Sequence, residues 1–160
     1  MHERVNMILE PITPELVSSP DVRESELLRE ICSSTLAMYS NTHPELPWVG
    51  YLAREHDAIV GTCAFKSPPV EGEAEIAYFT LPGHEGQGVA TRMAQKLIDL
   101  AAGTDAIAVR AQTLPEKNAS TRILEKLGFA FCGAVVHPED GKVWEWRKQI
   151  QKAGSRLPSS

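Results

Sequence analysis

The chain has 160 residues, 42% of them hydrophobic and 23% charged, which allows one soluble globular domain with its own core and argues against disorder. A formal charge of -5 and an isoelectric point near 5.5 leave no basic footprint for nucleic acid and suit a cationic partner. Three widely spaced cysteines without a Cys-x-x-Cys pair imply neither a disulfide framework nor a metal site and fit a reducing cytoplasm, and no apolar run approaches the roughly 20 residues that span a bilayer.

Val5 to Leu9 is a short apolar run closed by Pro11 and reads as a first edge strand, and Thr13-Pro14-Glu15 reads as a helix start with proline just inside it. Asp21 to Tyr39 carries Leu27, Leu28, Ile31, Leu36 and Met38, which predicts one helix with Asp21 capping its first turn. Tyr39 to Trp48 is a proline-broken loop. Trp48 to Arg54 and Ala58 to Phe65 read as a hairpin turning at Glu55-His56-Asp57, with Gly61 marking a bulge or a close backbone approach. After a loop from Lys66 to Gly72, a strand runs from Glu73 to Leu81 and ends at Pro82-Gly83.

From Val89 the period changes. Val89, Ala90, Met93, Ala94, Leu97, Ile98 and Ala101 recur at three- and four-residue steps, leaving Arg92, Gln95, Lys96 and Asp99 on the other face of an amphipathic helix. Ala106 to Ala111 is a further buried strand, so strand, helix and strand imply a right-handed parallel crossover. A helix from Ala119 to Leu127 stops at Gly128, and Phe129 to Val136 with Lys142 to Trp146 form a last hairpin around Pro138 to Gly141. These elements make one domain over residues 1–148, with residues 149–160 as a polar tail.

Between the Glu73–Leu81 strand and its helix lies Gly83-His84-Glu85-Gly86-Gln87-Gly88. Glycines without a Cβ permit a tight turn, and the free N–H groups of a helix's first turn together with its dipole favour an anion such as a pyrophosphate. The dinucleotide fingerprint and the P-loop are both absent. A plain strand-to-helix connection is the alternative for the loop in isolation.

Glu85-Gly86-Gln87-Gly88-Val89-Ala90 after a strand, followed some thirty residues on by Asn118-Ala119-Ser120 and Ile123-Leu124-Glu125-Lys126-Leu127-Gly128-Phe129, resembles the GNAT family of acetyl-CoA-dependent N-acyltransferases. Within that family the chain is most similar to the ribosomal-protein N-terminal acetyltransferase subgroup, and the resemblance covers about Ile59 to Trp146. It implies an α/β fold: a mixed, mostly antiparallel sheet of six to seven strands with helices on both faces. It implies a pyrophosphate held by Gly86, Gln87, Gly88, Val89, Ala90 and Thr91, a pantetheine arm flanked by Asn118 and Ser120, and a thioester carbonyl polarised by an amide among Phe79, Thr80 and Leu81. The implied acceptor is a primary amine, either a protein N-terminus or a small molecule, acted on by a monomer or homodimer without a metal. Two departures stand out. Glu85 replaces Gln or Arg, and its charge would be repelled by a pyrophosphate by about 3 kcal/mol at about 5 Å for a dielectric near 20, so its side chain is expected to face solvent. Asn118 lies two residues before Ser120 where the family has three.

Ser120 matches the subgroup's thiol-handling serine, and a helix N-cap is its structural alternative. Glu75 and Glu139 are candidate bases, with a solvated strand face and a turn carboxylate as their alternatives. His137 has a suitable pKa range or is a loop residue. His43 and Trp48 are either acceptor contacts or a surface loop with a core anchor. A catalytically idle acyl-CoA-binding or sensor domain, or another nucleotide-binding module, would use the same glycine-rich turn.

Overall fold

The computed structural model describes residues 6–39 and 43–150. Its strands are β1 Ile8–Pro11, β2 Gly50–Glu55, β3 Ala58–Phe65, β4 Glu73–Thr80, β5 Ala108–Thr113, β6 Ala130–His137 and β7 Gly141–Gln149. They form a seven-stranded sheet in the order β1-β2-β3-β4-β5-β7-β6. Every neighbouring pair is antiparallel except β4 and β5, which are parallel and joined by helix α4, Val89–Ala102.

Alternation along the strands gives the sheet two apolar faces, each covered by helices. Helices α1 Pro14–Val17, α2 Pro20–Arg23 and α3 Glu26–Met38 cover one, where Val22, Leu28 and Cys32 pack on Leu52 and Leu81. On the other, α4 and helix α5, Ala119–Lys126, bury Met93, Leu97 and Leu124 among Ala74, Ile76, Val109 and Trp146. Trp146 also donates its indole N–H to Thr113 Oγ1 at 3.0 Å, which satisfies both buried polar groups.

Several expected boundaries move for local reasons. The first strand begins at Ile8 and includes Pro11 as an edge residue paired with Tyr51; Val5 lies outside the described residues. The single helix expected from Asp21 is two, because Pro20 opens α2 and Ser25 caps α3 by accepting from the Leu28 N–H at 3.2 Å. Asp21 is not a cap; it pairs with Arg54, which also binds Glu10. At the C-terminus β7 continues to Gln149 and Ile150 is only 6% exposed, so the sheet passes residue 148, and residues 151–160 lie outside the described set.

Gly61 combines both expected roles. The β2–β3 register slips between Ala53 and Arg54, and a Cβ on Gly61 would lie 2.8 Å from both Met93 and the Phe79 carbonyl oxygen. Hence α4 sits close against β3. The feature that positions the site is the parallel pair: Glu73, Ala74 and Glu75 register with Ala108, Val109 and Arg110, and beyond them β4 and β5 diverge.

Candidate active site

The divergence opens a cleft of about 600 Å³ between the end of β4, the glycine-rich loop and α5. Gly86, Gly88, Val89, Ala90 and Thr91 line it on one side. Gly86 and Gly88 have φ of 77° and 79°, the left-handed region that L side chains seldom adopt, and a Cβ on Gly86 would project into open space. Opposite stand Ser120, Arg122 and Lys126 of α5, whose two cations join the positive end of α4 in favouring an anion. Nothing in their local pattern marked Arg122 and Lys126 as site residues; only the packing of α5 across the cleft does.

Along the sheet, backbone direction decides which amides face the gap. The Leu81 N–H donates to Val60 O at 2.9 Å and the Glu75 carbonyl accepts from Lys66 N–H at 2.9 Å, so odd-numbered residues of β4 are committed to β3. The intervening Tyr78 and Thr80 direct their N–H and C=O groups to the gap. On the far side of the sheet a shallower depression of about 440 Å³ is lined by Leu27, Glu30 and Ile31 of α3 with Thr62, Ala77 and Phe79. Between the two, a smaller cavity of about 130 Å³ brings Ser120 together with Glu75, Lys66, Gln112 and Tyr78. Glu75 pairs with Lys66 at 3.2 Å. Tyr78 lines all three spaces, and burial pushes its phenol up to about 12.

Residues 8–130 match the acetyltransferase (GNAT) domain. The chain belongs to the GNAT family. No curated protein is significantly similar to it in sequence. Among solved structures it is similar to RimL, the ribosomal L7/L12 α-N-protein acetyltransferase in complex with coenzyme A, at 17% identity and TM-score 0.67, covering 90% of this chain and 94% of that one. It is also similar to YncA from Salmonella typhimurium with its cofactor acetyl-CoA, at 14% identity and TM-score 0.65, covering 98% and 99%. The spermidine/spermine N-acetyltransferase SpeG from Vibrio cholerae matches at 12% identity and TM-score 0.65 over 90% and 95% of the two chains. The sheet order, the single parallel pair and the helices on both faces are those of the GNAT fold.

Against that fold the expected GNAT residues separate into groups. Phe79 and Thr80 line the cleft with the loop residues Gly86 and Gly88 to Thr91, whereas Leu81 is buried under α1–α3 and Gln87 does not line it. Asn118 is the N-cap of α5, accepting from the Thr121 N–H at 3.2 Å while Thr121 Oγ1 accepts from the Asn118 N–H at 2.9 Å. Its side chain is therefore committed to the helix start and does not line the cleft. Ser120 is not the cap; it lies inside the first turn and faces the cleft.

Glu85 differs from expectation. Although exposed, it does not turn away from the cleft but lines it, and its Oε1 accepts from the Gly83 N–H at 2.8 Å, folding the carboxylate back on the loop. Glu139 is exposed in the β6–β7 turn and lines neither the cleft nor the depression. His137 Nδ1 accepts from the N–H groups of Glu139 and Asp140 at 3.1 and 3.2 Å, a turn-holding role. Trp48 packs edge-on against Phe65 at 4.9 Å as a core anchor, and His43 lines a separate apolar depression with Pro11, Leu36 and Tyr39. Among the described residues no group of three or more His, Cys, Asp or Glu side chains could hold a metal ion, and no helix is long and apolar enough to cross a membrane.

Proposed function

We propose that the chain transfers an acetyl group from acetyl-CoA to a primary amine by direct attack within a ternary complex. The observation that carries this reading is the gap between β4 and β5, where an anion-favouring cleft on one face meets a depression on the other at Ser120, Tyr78 and Glu75. Acetyl-CoA supplies the thioester. Gly86 and Gly88 to Thr91 hold its pyrophosphate through backbone N–H groups, with Arg122 and Lys126 adding charge from α5. The N–H groups of Tyr78 and Thr80 point into the gap and stabilise the oxyanion that forms when the amine attacks the carbonyl carbon. Ser120 then donates a proton as the carbon–sulfur bond breaks.

The acceptor enters from the α3 side, and Glu75, held by Lys66, receives the amine proton directly or through water. An α-amine with an unperturbed pKa of roughly 7.7 to 8.0 is already about one-tenth neutral at pH 7, whereas a lysine near 10.4 needs far more help. A protein N-terminus or a small amine of low basicity therefore asks least of this site. The N-terminal substrate named for RimL agrees with that preference, whereas the polyamines named for SpeG are alkylamines as basic as lysine and would lean on Glu75 for deprotonation.

A thiol-release assay with acetyl-CoA over α-amino peptides, polyamines and amino acids tests the activity. Release that depends on one class of amine is expected. Calorimetric binding of acetyl-CoA without release on any amine would leave a binding or sensor domain, and binding of ATP in place of acetyl-CoA would remove the acyl-CoA reading altogether.

A further inference from the structure

The peptide between Gln87 and Gly88 is held from behind by one side chain. Arg92, in the first turn of α4, donates from Nη1 to the Gln87 carbonyl at 2.9 Å. Its Nε and Nη2 meanwhile bond both oxygens of Glu55 at 2.5 and 2.9 Å. Glu55 ends β2 and is only 6% exposed. A guanidinium gripped by two parallel bonds has its plane fixed, so its remaining edge is aimed as well.

Aiming that edge has a consequence for the loop. In a trans peptide the C=O and N–H point in opposite directions, so a Gln87 carbonyl drawn toward Arg92 turns the Gly88 N–H the other way. Gly88 lines the cleft and Gln87 does not, in keeping with that orientation. Glycine at φ 79° imposes little barrier of its own to rotation of this peptide. Turned over, it would present an anion with an oxygen in place of a donor. A Cβ on Gly88 would also lie 2.8 Å from Arg92 Nη1, so glycine there makes room for the arginine.

Resting on the acetyl-CoA reading above, we infer that Glu55 and Arg92 form a positioning pair that sets the Gln87–Gly88 peptide for the pyrophosphate. Glu55, 37 residues upstream of Arg92, is thereby a determinant of cofactor affinity. Because the carboxylate neutralises the guanidinium, the pair contributes geometry and little net charge.

Two thioesters separate this role from a general structural one. Acetyl-CoA carries the pyrophosphate and S-acetylpantetheine lacks it. Arg92→Lys keeps the charge but loses the fork, and Glu55→Gln keeps the shape but loses the second charge-assisted acceptor. Both are expected to raise KM for acetyl-CoA by about tenfold, the size of one lost charge-assisted hydrogen bond, with saturated kcat within about twofold. Turnover of S-acetylpantetheine should match the unaltered protein. Equal losses on both thioesters, or no loss on either, would overturn the inference.

A measurement on the unaltered chain stands beside these should a variant fail to fold. Addition of coenzyme A should shift the Gly88 amide proton strongly downfield, and an unmoved Gly88 amide in a coenzyme-saturated sample would also overturn it. Failure of the unaltered protein to bind coenzyme A at all refutes the acetyl-CoA reading itself.

Discussion

Replacing Ser120 with alanine distinguishes chemistry from architecture because another residue caps the helix in which it sits. Asn118 and Thr121 satisfy each other's backbone N–H groups, and the Ser120 hydroxyl has no hydrogen-bond partner among the described residues. Ser120→Ala therefore removes no bond from the fold, and alanine in the first turn favours the helix by roughly 0.5 kcal/mol. The melting temperature should stay within about 2 °C. The chemical cost is larger: general-acid assistance contributes about 10²- to 10⁴-fold, so kcat should fall about a hundredfold, equivalent to about 2.7 kcal/mol of barrier. Asn118→Ala supplies the contrast, losing about 1 kcal/mol and about 2–4 °C. Thiol release at saturating acetyl-CoA and amine, followed with a thiol reagent, gives kcat, after subtraction of the exposed Cys132; Cys32 and Cys63 are buried. A Ser120→Ala protein with kcat within about twofold of the original, or with the stability loss expected of Asn118→Ala, refutes the assignment.

Gly86→Ala places a methyl in the cleft and forces a left-handed conformation costing about 1–2 kcal/mol, so acetyl-CoA affinity measured by calorimetry should fall by about tenfold or more with the sheet intact by circular dichroism. Glu85→Gln keeps an acceptor for the Gly83 N–H and removes a negative charge, so affinity should hold or rise slightly at low salt and converge with the original at high salt. Burial raises Cys63, Tyr51 and Tyr78 each to about 12, from 9.0 for the thiol and 10.0 for the phenols. Their ionised forms are favoured only on unfolding, so their stability contribution is complete below about pH 9 and is lost as pH rises from about 9 to 12. Thermal melts between pH 7 and 11 should show that decline, and Tyr51→Phe should flatten it.

Much of this arrangement is legible in the sequence wherever a local rule governs. The period of α4, the glycines before it and the Asp140-Gly141 turn are each written within a few residues, and each forms as expected. Reading fails where a neighbour in sequence competes or a partner is distant. Ser120 and Asn118 are both good caps, and the reciprocal bond with Thr121 decides for Asn118. Pro20 and Ser25 break a helix whose apolar spacing alone runs on to Tyr39. Tyr78 looks like one more strand aromatic until β5 diverges beside it. The bond from Glu55 to Arg92 spans 37 residues and has no local signature.

The short β4–β5 ladder has a consequence for how such a sheet can evolve. Four strands lie on one side of this seam and three on the other, tied by a parallel run of Glu73, Ala74 and Glu75 against Ala108, Val109 and Arg110. Substitutions that lengthened that run would strengthen the sheet and at the same time zip shut the passage joining its two faces. The seam is thus a place where cohesion and turnover oppose each other. A search for variants of higher melting temperature should find inactive ones concentrated among residues 76–80 and 111–113.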